Sequence, residues 1–181
     1  YKDFSFKVKN VKTDEEKGTG TAKTAITTID AYSLAKDYSL VLLKKQIELD
    51  ASPQEVEFSL NDSCLLLKEL LEEKDYDMET SEADISLEKE GDTWKVVHTA
   101  ELDSLLTGNF ASYMSDAQLL SPSEIVDAHF GTIKDFDSEQ LKIYLSLDHL
   151  VETDDSYNNS LSMAIAQQID KAFDYEITEE E

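Results

Sequence analysis

Two side chains in this sequence stand where a pattern could support acid–base chemistry. His98 falls on the same side of an alternating run as Trp94 and Val96, and Asp30 closes a β-branched run. A carboxylate beside a His or Tyr in an enclosed space can act as general base and oxyanion donor. No paired motif accompanies either residue, and a His on an apolar strand face ordinarily reads as a hydrogen-bonded core residue. Cys64 is the only cysteine, which excludes an intramolecular disulfide. Set in Cys64-Leu65-Leu66-Leu67, it reads as a small buried hydrophobe rather than a nucleophile. His129 and His149 lack a second His or Cys at the i+3 or i+4 spacing of a zinc pair. Asp154-Asp155-Ser156-Tyr157-Asn158-Asn159 offers oxygen ligands suited to Ca²⁺, without the Gly and distal Glu of a helix-loop-helix calcium loop. Asp135 and Asp137 read as a turn and a helix cap. No catalytic, cofactor-binding or metal-ligating residue is assigned on these grounds, and no cofactor is expected.

Charge excludes more than the motifs include. The net charge is −24 over 181 residues, with 40 acidic residues against 16 basic ones. All the basic residues are Lys, so the bidentate guanidinium fork that reads phosphates and base edges is missing. A polyanion is also repelled by the overall field, and nucleic-acid binding is excluded as an expectation. Anionic lipid is disfavoured for the same reason. After Ala100 the only lysines are Lys134, Lys142 and Lys171, and the acid excess deepens there. The simplest reading is a heavily solvated surface; the sharper one is a face for a basic partner or a divalent cation. No stretch approaches the ~18–20 apolar residues of a membrane span, so direct membrane insertion is not expected. The chain opens at Tyr1 without a targeting segment, and the expectation is a mature form whose signal has been removed.

The elements that must position these groups follow from periodicity. Phe4, Phe6 and Val8 alternate with Ser5, Lys7 and Lys9, and Thr21–Ile29 is β-branched, so a hairpin is predicted around Asp14–Gly18. Asp30 caps a helix through about Leu49. Ser52-Pro53-Gln54-Glu55 reads as the capped start of a second helix, continuing through Ser63–Lys74 with Leu66, Leu67, Leu70 and Leu71 inward. Asp75–Glu82 reads as a polar connection. Ala83, Ile85 and Leu87 form a third strand, Glu90-Gly91-Asp92 turns, and Trp94, Val96, His98 and Ala100 line the fourth, with Trp94 opposite Ile85 and Leu87. Glu101–Phe110 is a terminal helical turn stopped by Gly108, and Met114–Leu120 is a linker. Ser121-Pro122-Ser123-Glu124 repeats the capping pattern, opening a helix with Ile125, Ala128, His129, Phe130 and Ile133. Helices over Ser138–Leu147 and Leu161–Phe173 follow, then a strand-like end at Phe173–Thr178.

Several stretches resemble parts of a known family. Thr21–Asp30 passing into Ala31–Leu49 is similar to the strand-to-helix passage of nuclear transport factor 2-like (cystatin-like) α+β domains in cell-surface lipoproteins of Gram-positive bacteria. Ile85–Val97 (Ile-Ser-Leu-Glu-Lys-Glu-Gly-Asp-Thr-Trp-Lys-Val-Val), with Leu105–Gly108, resembles their closing hairpin and terminal helix. Pro122–Ile133, Asp137–Leu145 and Phe173–Ile177 resemble their opening helices and first strand. The order is permuted, since in the family those helices precede the sheet. The resemblance implies a curved antiparallel sheet covered by helices. Residues 1–118 form a sheet-rich part and 119–181 a helical part that completes the same fold, within the chain or by exchange as a domain-swapped homodimer. The alternative is the start of a second similar domain. It further implies an extracellular, lipid-anchored protein acting as a non-catalytic binding or scaffold module for a protein, peptide or small-molecule ligand. The alternative function is a small-molecule enzyme of the ketosteroid isomerase or dehydratase kind, with its pocket in the cone of the sheet.

Overall fold

A computed structural model describes residues 4–52, 54, 56–146, 164 and 167–178. They build an α+β fold around a four-stranded antiparallel sheet in the order β1-β2-β3-β4. Its strands are β1 (Ser5–Asp14), β2 (Thr19–Ile29), β3 (Met78–Glu90) and β4 (Thr93–Val96). Helices α1 (Ala31–Asp50) and α2 (Leu60–Glu73) separate β2 from β3. Helices α3 (Ala100–Leu106), α4 (Phe110–Met114), α5 (Pro122–Lys134) and α6 (Ser138–Ser146) follow the sheet. Residues 167–172 are also helical. The chain divides into two compact units, Tyr1–Asp37 with Leu71–Leu119, and Tyr38–Leu70 with Leu120–Glu181. The chain passes between the units inside α1, inside α2 and at Leu119/Leu120.

In the sheet unit, pairing register assigns the faces. Phe6 opposes Ile26, Val11 opposes Ala22, and Ala22 opposes Ile85. Residues opposite one another share a face, so Phe6, Val8, Val11, Ala22, Ile26, Ile85 and Leu87 lie together. A strict alternation would send Val11 to the other face; the register shift between Val8 and Asn10 brings it back. Lys7, Lys9 and Lys12 are left on the polar face, where Lys9 and Lys23 both pair with Glu82. Only the middle of the apolar face is well covered: Ala22, Thr24, Ile26 and Thr28 are buried, whereas Phe6 is 67% exposed at the edge.

Helix α3 lies against β2 and β3. Its Thr99 cap accepts from the Leu102 amide at 3.1 Å. Its end is a Schellman motif, with the Asn109 amide bonded to the Ser104 carbonyl at 2.7 Å and that of Gly108 to Leu105 at 3.2 Å. Gly108 has φ +61°, and a Cβ there would come within 2.9 Å of Ala31 Cβ and 3.0 Å of Thr28 Oγ1. Only glycine satisfies both the backbone and the packing at this point.

Several sequence expectations change in the sheet unit. Strand β3 begins at Met78, inside the stretch read as a polar connection. Residues 79–82 are all polar, Thr80 Oγ1 lying 2.7 Å from Thr27 Oγ1, so no apolar alternation marks the start of the strand. Trp94 opposes Lys89 rather than Ile85 or Leu87, and the Lys89 ammonium sits 5.8 Å from its ring centroid. It is half-buried. Strand β4 stops at Val96, so His98 and Ala100 are not on its inner face; Ala100 opens α3.

The other unit is helical. Ile47 of α1 and Ala51 just beyond its end form a core with Ile133, Phe136 and Leu141, with Leu43, Tyr144, Ile169 and Phe173 packed against it. The expected start of α5 is present in full. Ser121 Oγ accepts from the Glu124 amide at 3.3 Å, and Glu124 returns a carboxylate to the Ser121 amide at 2.9 Å. Asp137 caps α6 as expected, accepting from the amides of Glu139 and Gln140 at 3.0 and 2.9 Å. Helix α2 starts at Leu60, not in Ser52–Glu55, of which Pro53 and Glu55 lie outside the described residues. Ser59 and Asp62 supply its reciprocal cap, Ser59 N donating to Asp62 Oδ2 at 2.8 Å. Cys64 is exposed, because it lies on the opposite side of α2 from Leu66 and Leu70. Leu71, expected inward, is 43% exposed. Phe173–Thr178 forms no strand. Instead Phe173 and Tyr175 stack at 6.3 Å, and both rings meet Phe130, at 6.0 and 5.6 Å.

Candidate functional site

A cavity of about 900 Å³ belongs to the helical unit. One wall is the last two turns of α1, with Lys45, Glu48 and Leu49; another is α2, with Leu65, Leu66 and Glu69. Val56 and Phe58 enter from the segment between those helices, and α5 closes the far side with Asp127, Gly131 and Lys134. The apolar lining includes side chains that are unusually open to water, Val56 at 54% and Leu65 at 47%. Charged side chains of both signs line the cavity with them, including Lys45, Glu48, Asp127 and Lys134. Lys45 bonds Glu48 at 3.0 Å, and Lys134 bonds Asp174 at 2.6 Å. The Lys134 hydrogen bond, with that of the Tyr175 amide, holds the Asp174 carboxyl below its ordinary value.

Tyr175 crosses the groove wall to α5. Its hydroxyl lies 2.7 Å from Asp127 Oδ1 and 3.0 Å from the Asp127 carbonyl. Gly131 makes this reach feasible, since a Cβ there would stand 3.2 Å from the Tyr175 hydroxyl. The hydrogen bond to Asp127 pushes the phenol's pKa up, and the charges of Asp127, Asp135 and Asp174 add to it. A phenol held by a carboxylate, with two more carboxylates acting on it, is a poor stabiliser of developing negative charge.

The candidates singled out by sequence are not brought together. Asp30 is a helix cap: its carboxylate accepts from the Ser33 amide at 3.0 Å and from the Ser33 hydroxyl. Burial pushes its pKa up, but the hydrogen bonds from Ser33 and Tyr32 outweigh this and hold it below the ordinary value. It is therefore an ionised cap rather than a base poised near neutrality. His98 is on the surface with its side chain 79% exposed, 3.4 Å from Asp103. His129 lies in the helical unit, its Nε2 3.0 Å from the Tyr144 hydroxyl and its ring edge-to-face with Phe130. His149 and Asp154–Asn159 lie outside the described residues. Among the described residues no group of three or more His, Cys, Asp or Glu side chains could hold a metal ion. No helix among them is long and apolar enough to cross a membrane.

Sequence reasoning missed the Asp127–Tyr175 pair. The two positions are 48 residues apart, and no local spacing connects them. It also missed a cluster in the sheet unit, where Tyr76 donates to Asp37 at 2.9 Å while Lys74 pairs with the same carboxylate. No protein-family model matches the chain, and searches of curated proteins and of solved structures return no match.

Proposed function

We propose that this chain is a non-catalytic extracellular binding or scaffold module of a bacterial cell-surface lipoprotein, and that the groove of the helical unit receives its ligand. The observation that carries the binding assignment is the groove itself: open apolar side chains at Val56 and Leu65, with the Lys45–Glu48 and Lys134–Asp174 pairs beside them. Such a lining holds an apolar ligand group and orients its polar ends, without supplying an activated nucleophile. The family and cell-surface parts of the reading rest on the resemblance. Of the segments that carry it, the β3–β4 hairpin and the helix stopped at Gly108 are present, whereas Phe173–Ile177 forms no strand.

The isomerase-like alternative draws on one observation, a carboxylate beside a tyrosine in the groove wall. The geometry argues against it, because the one proton of the Tyr175 hydroxyl is already donated to Asp127 and is not free for an oxyanion. An uncharged solvatochromic dye titrated into the native protein tests the binding reading. Its emission should shift to the blue on saturable binding, and Leu65→Glu, a change at an exposed position, should weaken that binding about tenfold, equivalent to ~1.4 kcal/mol. Equal binding by the variant, or turnover of an enolisable ketone that Asp127→Asn abolishes, would overturn the proposal.

A further inference from the structure

Among the described residues β1 pairs only with β2, which leaves its outer edge unpaired over ten residues. Every residue of the strand before Asp14 is exposed. The other edge, β4, is only four residues long. A long open edge presents a row of unpaired backbone donors and acceptors to another strand. Its side chains fall into two chemically distinct rows: Phe6, Val8 and Val11 on one face, Lys7, Lys9 and Lys12 on the other. In a chain of net charge −24, this is a local reversal of sign.

The interior of the same sheet shows which strand such an edge accepts. Strand β3 carries Ala83, Ile85 and Leu87 on the apolar face and Glu82, Asp84 and Glu88 on the polar one. It lies against β2, where Lys23 bonds Glu82 at 2.9 Å. A strand added outside β1 would meet the same arrangement, with apolar residues beside Phe6, Val8 and Val11 and carboxylates beside the lysines. A second copy of β1 would set lysine against lysine, and like charges placed opposite one another repel. We propose that β1 is a strand-addition site for an extended segment of a partner protein that alternates apolar and acidic residues. Backbone hydrogen bonds would supply the affinity and the lysine row the selectivity. The site is separate from the groove of the helical unit and does not depend on its function.

Isotope-labelled full-length chain, titrated with two short blocked peptides, one alternating Val and Glu and one alternating Val and Lys, tests this directly. The Glu peptide should shift the backbone amides of β1 and slow their hydrogen exchange. Its affinity should fall as salt is raised from about 20 mM to about 300 mM, since the lysines are exposed. The double variant Lys7→Glu/Lys12→Glu should lose about tenfold in affinity for the Glu peptide and gain for the Lys peptide. A circular dichroism spectrum and melting curve matching the parent show that the variant is folded; if it is not, Lys7→Gln/Lys12→Gln gives the loss without adding repulsion. Equal response to both peptides, response confined to the helical unit, or no response at β1 would overturn the proposal. In the last case the lysines and the register shift only keep the edge from pairing.

Discussion

Glu82 shows how much of the sheet's electrostatics converges on one side chain. Hydrogen bonds from Lys23 and Lys9, with their charges, hold its carboxyl at about 2, against an ordinary value of 4.5. A carboxyl depressed on folding contributes stability that is fully present above its unfolded value and lost as pH falls through its folded one. The pairing of β1 and β2 with β3 should therefore weaken between about pH 4.5 and about pH 2. Urea unfolding of the parent and of Glu82→Gln over that range checks this: the parent's midpoint should fall more steeply. Parallel curves for the two proteins would show that the pair of lysines adds nothing. In sequence Glu82 reads as part of a polar connection, because its neighbouring charges hide a strand from periodicity. Only the antiparallel pairing of Ala25 with Glu82 brings it to Lys9 and Lys23.

At the scale of elements, the end of α3 is the most constrained turn in the sheet unit. Gly108→Ala must place a side chain at φ +61° and within 3.0 Å of both Ala31 and Thr28. Left-handed backbone strain at a non-glycine residue costs about 1–3 kcal/mol, and the Ala31 contact adds to it. Thermal or denaturant unfolding should register a loss of that size. Gly91→Ala provides the control, because it shares the positive φ but would meet nothing within 4 Å. An equal loss in the two variants would mean that packing against Ala31 contributes nothing. This helix stop was legible in sequence as a glycine after an apolar run. The start of α2 was not, because Ser52-Pro53-Gln54-Glu55 and Ser59-Leu60-Asn61-Asp62 both match capping patterns. The observed choice gives Ser59 and Asp62 their reciprocal bonds.

For the whole molecule, charge dominates behaviour in solution. A net charge of −24 makes the compact state self-repelling, and salt screens that repulsion beyond about 8 Å at physiological ionic strength. The melting temperature should rise as sodium chloride is raised from about 10 mM to about 150 mM, measured by scanning calorimetry. A falling value would show that the surface pairs, such as Lys9–Glu82 and Lys89–Glu15, outweigh the general repulsion.

The sequence by itself determined the α+β class, both hairpins, the Asp30 and Ser121 caps, the Gly108 stop and the strongly negative overall field. Each depends on residues a few positions apart or on total charge, and local sterics or long-range Coulomb repulsion are sufficient to set them. Tertiary structure decided which apolar faces were used. Ile133 is buried with Ile47 and Phe136, Cys64 is turned to water, and Phe173 and Tyr175 stack on Phe130 instead of forming a strand. The groove and its Asp127–Tyr175 pair likewise exist only once α1, α2 and α5 are assembled. An apolar stripe records that a side chain is to leave water, but the hydrophobic effect is non-directional and does not record against what.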